Sequence, residues 1–381
     1  MQETETVRTW RALQILLVAG TAAATTPASA QSSVTVYGIF DAGLEASDSG
    51  RGATKRMISG GSYGSRLGFR GNEDLGGGLS AVFRLESGFA GDTGALGQGG
   101  RIFGREATVG LAHRELGTLT IGRIPTPVSL TQARVDAFNW MGSGGMISIT
   151  RSGTATRQLM PQVVSARVDN AVNYFSPNWG GFEMRALVAL GEDSPVIDRT
   201  YGASVRYLEG PWDLVAAYGR QEGSGSASGR ITSVVVGGSY NFKVAKIFAG
   251  YTNEKNTCST CTGALARAEG VSGGDASEFQ LVNLGVRIPV GNLTAIAQVV
   301  RVNDRSRYAV NLGDRDATWF AVGAEYPLSR RTVLYGALGT IDNRNGSQYA
   351  LGSGGVQQPP NFVDTDDPRS STLSLGIRHL F

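Results

Sequence analysis

The chain has 381 residues, 41% of them hydrophobic, and its 35 Lys+Arg against 32 Asp+Glu leave a formal net charge of +3. A nucleic-acid binder concentrates an excess of positive charge on one face, so this balance gives no support to a nucleic-acid partner. Glycine, at 54 residues, is at about twice its average share and is costly inside helices, which excludes a mostly helical fold.

At the start, Arg8 and Arg11 precede an apolar run over 12–24, and Ala28-Ser29-Ala30 follows. A positive n-region, a short apolar stretch and an A-x-A site read as a secretory signal peptide over 1–30, leaving Gln31 as the mature terminus. The run is short for a membrane anchor. Beyond Ala30 no apolar run reaches the ~18–20 residues of a spanning helix. An exported chain without a helical anchor is a soluble periplasmic or secreted protein, or a β-barrel of an outer membrane.

From there, period-2 alternation marks about sixteen segments. In order they are 33–46, 65–71, 79–89, 105–112, 117–123, 170–177, 182–190, 201–208, 212–219, 231–242, 246–252, 279–290, 293–302, 318–328, 332–341 and 371–381. Most are near the length of a tilted strand crossing a bilayer. The connections alternate: tight ones at 72–77, 113–117, 178–181, 208–211, 289–292 and 327–331, long polar ones at 47–62, 90–100, 191–199, 220–230, 253–277, 303–316 and 342–370. Short turns at one rim and long loops at the other fit an outer-membrane barrel. A soluble sandwich has little reason to alternate loop length so regularly.

The alternation has a chemical sense. In LSAVFRLESGF (79–89), Leu79, Ala81, Phe83, Leu85 and Phe89 share one face, and Ser80, Arg84, Glu86 and Gly88 the other. In SRLGFRG (65–71), Leu67 and Phe69 oppose Arg66, Gly68 and Arg70. Charges at every second position of otherwise apolar segments suit a greasy exterior and a wet lumen. Aromatics near segment ends (Tyr37, Phe89, Tyr174, Phe175, Trp179, Trp212, Tyr240, Phe242, Tyr251, Trp319, Tyr326 and Phe381) are expected to form the interfacial girdles.

SVTVYGIFDAGLE, SRLGFRGNEDLGGGLSAVFRLESGF, FGREATVGLAHRELGTLTIGR, DNAVNYFSP and the terminal LGIRHLF resemble the general porins of Gram-negative outer membranes, above all their β-proteobacterial branch. The likeness covers 31–381, one barrel domain. It implies an all-β, sixteen-stranded transmembrane antiparallel barrel, assembled as a homotrimer among outer-membrane lipid and lipopolysaccharide, with a third long loop folded into the lumen to narrow it. It also implies that the terminal Phe381 is read by the barrel assembly machinery. Pairing of the first and last strands would close the barrel, with the Gln31 amine and the Phe381 carboxylate meeting at the seam.

By this resemblance the constriction loop is 125–168. The acidic signature of the enterobacterial relatives is absent there. Asp136 is the one carboxylate in the stretch and so the candidate acidic residue of the constriction, against Arg134, Arg151, Arg157 and Arg167. Arg66 and Arg123 resemble basic constriction residues of the family, and Arg105 and Arg167 those of its anion-selective members. Parity puts Arg66 and Arg84 in the lumen. It puts Arg105 with Ala107, and Arg123 with Leu119 and Ile121, on the lipid face unless a bulge or a strand end reverses the facing. The alternative for any one arginine is a solvated rim position.

Rings of wall charge and pore diameter set selectivity in a wide channel, and guanidinium is planar, permanently charged and weakly hydrated. The expected function is passive diffusion of ions and small hydrophilic solutes with a preference for anions. The runner-up is a substrate-specific channel for phosphate, organic acids or sugars. An outer-membrane hydrolase needs a positioned imidazole. The two histidines, His113 in a tight turn and His379 two residues from the end, offer no good base, so the chain reads as a non-enzyme with no cofactor. Cys258 and Cys261 form a C-x-x-C in loop 253–277. Such a pair is redox-active, half of a metal site or a local disulfide; no second half of a metal site is visible, and an oxidising compartment favours the disulfide.

Overall fold

A computed structural model describes residues 33–48, 53–139, 142–146, 149–151, 166–192, 197–223, 229–257, 277–305, 316–345, 347, 349–351 and 369–381. The expected signal peptide, Gln31, Cys258 and Cys261 lie outside the described residues.

The first half of the wall consists of β1 (Ser33–Asp48), β2 (Ala53–Ser59), β3 (Arg66–Gly76), β4 (Leu79–Gly88), β5 (Glu106–His113) and β6 (Gly117–Pro125). A helix, α1 (Pro127–Val135), and a short strand, β7 (Ile149–Arg151), follow. The wall resumes with β8 (Arg167–Phe175), β9 (Phe182–Ala189), β10 (Ile197–Glu209), β11 (Trp212–Gly223), β12 (Arg230–Asn241) and β13 (Lys246–Asn256). It continues through β14 (Ser277–Val290), β15 (Leu293–Asp304), β16 (Ala317–Pro327) and β17 (Thr332–Asn343). After the short β18 (Tyr349–Leu351), β19 (Ser370–Leu380) ends the chain.

Every wall strand pairs antiparallel with its neighbours, and β19 returns to β1, with Ile39 opposite Leu380 and Asp48 opposite Ser371. Of the seventeen strands in this sheet, β2 and β3 share one stave. The outer half of β1 pairs with β2, from Ala42 opposite Ser59, and the inner half with β3, from Ile39 opposite Arg66. The described residues therefore form a closed barrel of sixteen staves with no open edge.

Alternation sorts the faces as expected. Leu214, Val234, Val236, Leu284, Phe320, Val322, Leu338 and Leu375 are all exposed on the outside. A water-soluble protein would not leave so continuous an apolar belt uncovered; hydrocarbon demands it. Trp179, Phe182, Trp212 and Phe242 sit exposed around the short turns, with Trp212 and Tyr240 edge to face at 4.5 Å.

Three expectations are corrected. Loop 47–62 is largely strand, since β2 occupies 53–59; its charges are accommodated because Arg56 ion-pairs across the register with Glu45 at 2.6 Å. Trp319 is fully buried on the inner face, while its neighbour Phe320 faces outward. Tyr37 also points inward, where its hydroxyl meets Glu86 at 3.0 Å.

The stretch expected to be the constriction loop, 125–168, opens with α1. Thr126 caps it, accepting from Ser129 N–H, and Pro127 occupies the first turn, where its missing N–H and fixed φ cost nothing. The helix lies against the inner faces of β9 to β13, packing Val128 and Val135 on Val215, Ala217 and Val235. Gly250 makes room for it: a Cβ there would stand 2.8 Å from Val135. Residues 136–139 and 142–146 continue across inner-face residues. Ala137 N–H donates to Gln298 at 2.8 Å, and Ser143 meets Ser374 at 2.9 Å. Further on, β7 pairs with β18, which lies against β17 and β19: Leu351 N–H donates to Ser370 Oγ at 3.2 Å.

Candidate pore constriction

Arg66, Arg105, Arg123 and Arg167 come from four elements of one wall and meet around shared acceptors. Arg66 opens β3, inward by alternation; its Nε donates to Gly64 O at 3.0 Å, and its guanidinium stands 3.6 Å from Glu86. Arg105 Nε donates to the same Glu86 oxygen at 2.6 Å. Arg167 Nε donates to Arg105 O at 2.9 Å. Arg123 Nε donates to Gly104 O at 2.7 Å, and its terminal nitrogen reaches Asp169 at 2.5 Å. Each Nε is thus tied to an acceptor, which fixes the plane of the guanidinium.

Two of these arginines escape simple alternation for visible reasons. Arg105 precedes β5, which begins at Glu106, so the pleat does not dictate its facing. Arg123 sits in a bulge: Gly122 pairs with Ala171, but Ile124 pairs with Val168. Gly122 (φ +128°) and Asn170 (φ +54°) supply the left-handed backbone that the register jump needs. Ile121 therefore faces outward, half exposed, while Arg123 reaches Asp169.

Arg84, on the inner face of β4, stands 3.4 Å from Glu106 with about half of its side chain exposed. Sequence reasoning passed over Glu86, Glu106 and Asp169 as the acidic members of this wall, and Arg101, which donates to Asp169 at 2.8 Å. Glu86 was within reach, since parity already put it beside Arg84. Asp169 and Arg101 lie 68 residues apart, and only the folded loop joins them.

The cluster holds six arginines (66, 84, 101, 105, 123 and 167) against three carboxylates, Glu86, Glu106 and Asp169. Arg167 makes no ion pair among the described residues. Across the barrel, three arginines meet three carboxylates: Arg206 pairs with Asp213 at 2.7 Å and Glu183 at 3.5 Å, and Arg287 and Arg378 pair with Glu325. On α1, burial first and then the nearby Arg206 guanidinium lower the pKa of Arg134 below the usual arginine value.

Asp136 does not line the channel, correcting the expectation for the acidic side. It is fully buried. One carboxylate oxygen accepts from Phe138 N–H at 2.8 Å and the other from Met146 N–H at 2.6 Å, so the side chain staples the segment after α1 into a closed turn. The histidines are both occupied locally: His113 Nδ1 accepts from Glu115 N–H, and His379 Nδ1 meets Thr332 Oγ1 at 2.9 Å.

Comparison with known proteins places this geometry. The model of the Gram-negative porin family matches residues 16–346. An outer membrane porin protein of Bordetella pertussis is 30% identical, with 97% of this chain and 99% of that protein aligned. Outer membrane porin protein 32 of Delftia acidovorans is likewise 30% identical, over 96% of this chain and 99% of that one. Among solved structures, the anion-selective porin from Comamonas acidovorans superposes with a TM-score of 0.77 at 28% identity, covering 92% of this chain and 100% of that one.

Proposed function

The chain belongs to the Gram-negative porin family, and from that premise we propose that this outer-membrane barrel is a passive diffusion channel for ions and small hydrophilic solutes that favours anions. The observation carrying the preference is the twofold excess of arginine over carboxylate in the cluster of Arg66, Arg84, Arg101, Arg105, Arg123 and Arg167. Charge rings on a pore wall set selectivity where the passage is narrowest, and a low-dielectric wall focuses their field into the water. A permeating anion exchanges part of its hydration shell for guanidinium donors whose planes are already fixed. A cation meets the same groups as a repulsive barrier.

In this reading the segment following β6 narrows the passage. Helix α1 and residues 136–139 and 142–146 lean on the inner faces of β9 to β17 and β19, which leaves the arginine-bearing wall of β3 to β8 across the opening. The likeness to the anion-selective porin from Comamonas acidovorans supports the same sign. We take the working form to be a homotrimer embedded among phospholipid and lipopolysaccharide and inserted by the barrel assembly machinery.

The test is the reversal potential of single channels in planar bilayers under a KCl gradient. The expected sign is that of chloride. A potassium-signed potential would overturn the selectivity and leave the channel. Liposome swelling with solutes graded by size separates a general pore from one specific for phosphate, organic acids or sugars.

A further inference from the structure

Between β2 and β3 the stave is broken. Ser59 pairs with Ala42 and Arg66 pairs with Ile39, so the six residues 60–65 bulge out opposite only Phe40 and Asp41. Such a break needs something to hold it, because its backbone N–H groups have lost their ladder partners.

Asp41 supplies that hold. Its carboxylate is fully buried and accepts from three consecutive backbone donors: Gly61 N–H at 3.0 Å, Ser62 N–H at 3.1 Å and Tyr63 N–H at 2.8 Å. Tyr335, from β17 across the seam, donates its hydroxyl at 2.6 Å. The backbone of Asp41 joins in: its carbonyl accepts from Gly60 N–H and from Ser65 Oγ, and its N–H donates to Ser65 Oγ, all at 3.0 Å.

What the bulge carries is the edge of the arginine cluster. Gly64 O accepts from Arg66 Nε at 3.0 Å, and a Cβ at Gly64 would lie 3.2 Å from Arg105. On its other side, Gly61 O comes so close to Gly142 that a Cβ on Gly142 would stand 1.9 Å away. One six-residue bulge therefore touches both the basic wall and the segment folded across the lumen.

We propose that Asp41 is a positioning residue for selectivity: by clamping bulge 60–65 it sets the distance between Arg66 and the lumen segment at Gly142, without itself meeting the permeating ion. The inference rests on the anion-preferring reading above. Asp41→Asn keeps the volume but turns one oxygen into a donor facing donors, so the bulge loses part of its anchor. Gly61→Ala perturbs the same bulge without changing any charge, since its Cβ would stand 2.4 Å from Tyr335 Oη and 3.0 Å from Ile58.

The experiment measures reversal potential and single-channel conductance of refolded Asp41→Asn, with the folded barrel verified by its heat-dependent mobility on gels. The expected result is a fall of about twofold or more in the anion-to-cation permeability ratio, with a larger conductance. A folded Asp41→Asn channel that melts earlier yet keeps the native ratio and conductance would overturn the proposal, because a purely structural anchor moves stability alone. Should Asp41→Asn not be recovered folded, Gly61→Ala decides by the same criteria. The sign of the native channel's own potential tests the anion preference; the difference between variant and native tests the role of Asp41.

Discussion

Gly38 and Phe381 exchange two backbone hydrogen bonds, Gly38 N–H to Phe381 O at 3.0 Å and Phe381 N–H to Gly38 O at 3.1 Å, as the last rung of the seam between β1 and β19. The Phe381 ring lies over Gly38, where a Cβ would stand 2.2 Å from its tip and 2.8 Å from Arg66 O. Deleting Phe381 removes both bonds, each worth about 0.5–1.5 kcal/mol net. The folded yield and the temperature of heat-induced unfolding on gels should both fall. Gly38→Ala should lower the same transition by displacing the ring, at a cost of roughly 1–3 kcal/mol for overpacking. Unchanged assembly without Phe381 would contradict the role given to the seam.

Glu86 sets how much of the cluster's charge is compensated. It touches Arg66 at 3.6 Å, Arg105 at 2.6 Å and Tyr37 at 3.0 Å. Glu86→Gln preserves the shape and removes one of three carboxylates from the wall. The anion-to-cation permeability ratio should rise, while Arg105→Gln should lower it, each by a factor of about two. The pair of opposite shifts in reversal potential is the measurement; shifts of the same sign would break the assignment.

Much of the fold was legible because a barrel wall repeats one rule, greasy out and polar in. Leu79 to Phe89 displayed that rule, and Arg66 followed from it. It failed where the pleat itself fails. The facing of Arg105 is set at a strand end, and that of Arg123 by a register jump shared with Asn170 on another strand. In Trp319-Phe320 both faces carry an aromatic, so the outward one could not be chosen from sequence. Helix α1 shows no apolar stripe because Ser129, Thr131 and Gln132 are buried beside Val128 and Val135. Its readable signal was the Thr126-Pro127 start. Asp136 looked like pore lining because composition counts charges and cannot see a backbone folding around one.

The bulge at Gly122 makes a sharp prediction. Its backbone is at φ +128°, and a Cβ would stand 2.1 Å from Ala107 O. Gly122→Ala must shift a backbone carbonyl of β5 as well as adopt a conformation costing about 1–3 kcal/mol. Relief by straightening the strand turns Arg123 toward the lipid face and breaks its contact with Asp169. The expected outcome is a less stable barrel with a reduced anion preference. A Gly122→Ala channel with native stability would show that the bulge is not held by this glycine.

Asp136 separates lining from stapling. A channel-lining carboxylate replaced by Asn would strengthen anion preference and leave stability alone. A buried staple replaced by Ala leaves the N–H groups of Phe138 and Met146 without their acceptor, at roughly 1–3 kcal/mol each. Asp136→Ala should therefore loosen segment 136–146, raising single-channel conductance and open-channel noise and lowering the unfolding temperature. Sharpened selectivity at unchanged stability would restore the lining role.

Ionic strength tests whether the arginine excess acts through its field. The Debye length is ~10 Å at 0.1 M salt and ~3 Å at 1 M. Arg84, Arg101 and Asp169 of the cluster are about half exposed to lumen water, while Arg66, Arg105 and Arg123 are more deeply set. At low salt their field spans the passage; at high salt it collapses to the wall, and ions near the axis pass without feeling it. The permeability ratio from reversal potentials at a fixed KCl gradient should therefore decline steadily as mean concentration rises, approaching the mobility ratio of the free ions. Selectivity from direct ligation by fixed guanidinium donors would instead persist, because contact pairs are screened far less than distant charges. A ratio independent of salt over that range would move the explanation from the summed field to specific contacts at Arg167, the one member of the cluster without a carboxylate partner among the described residues.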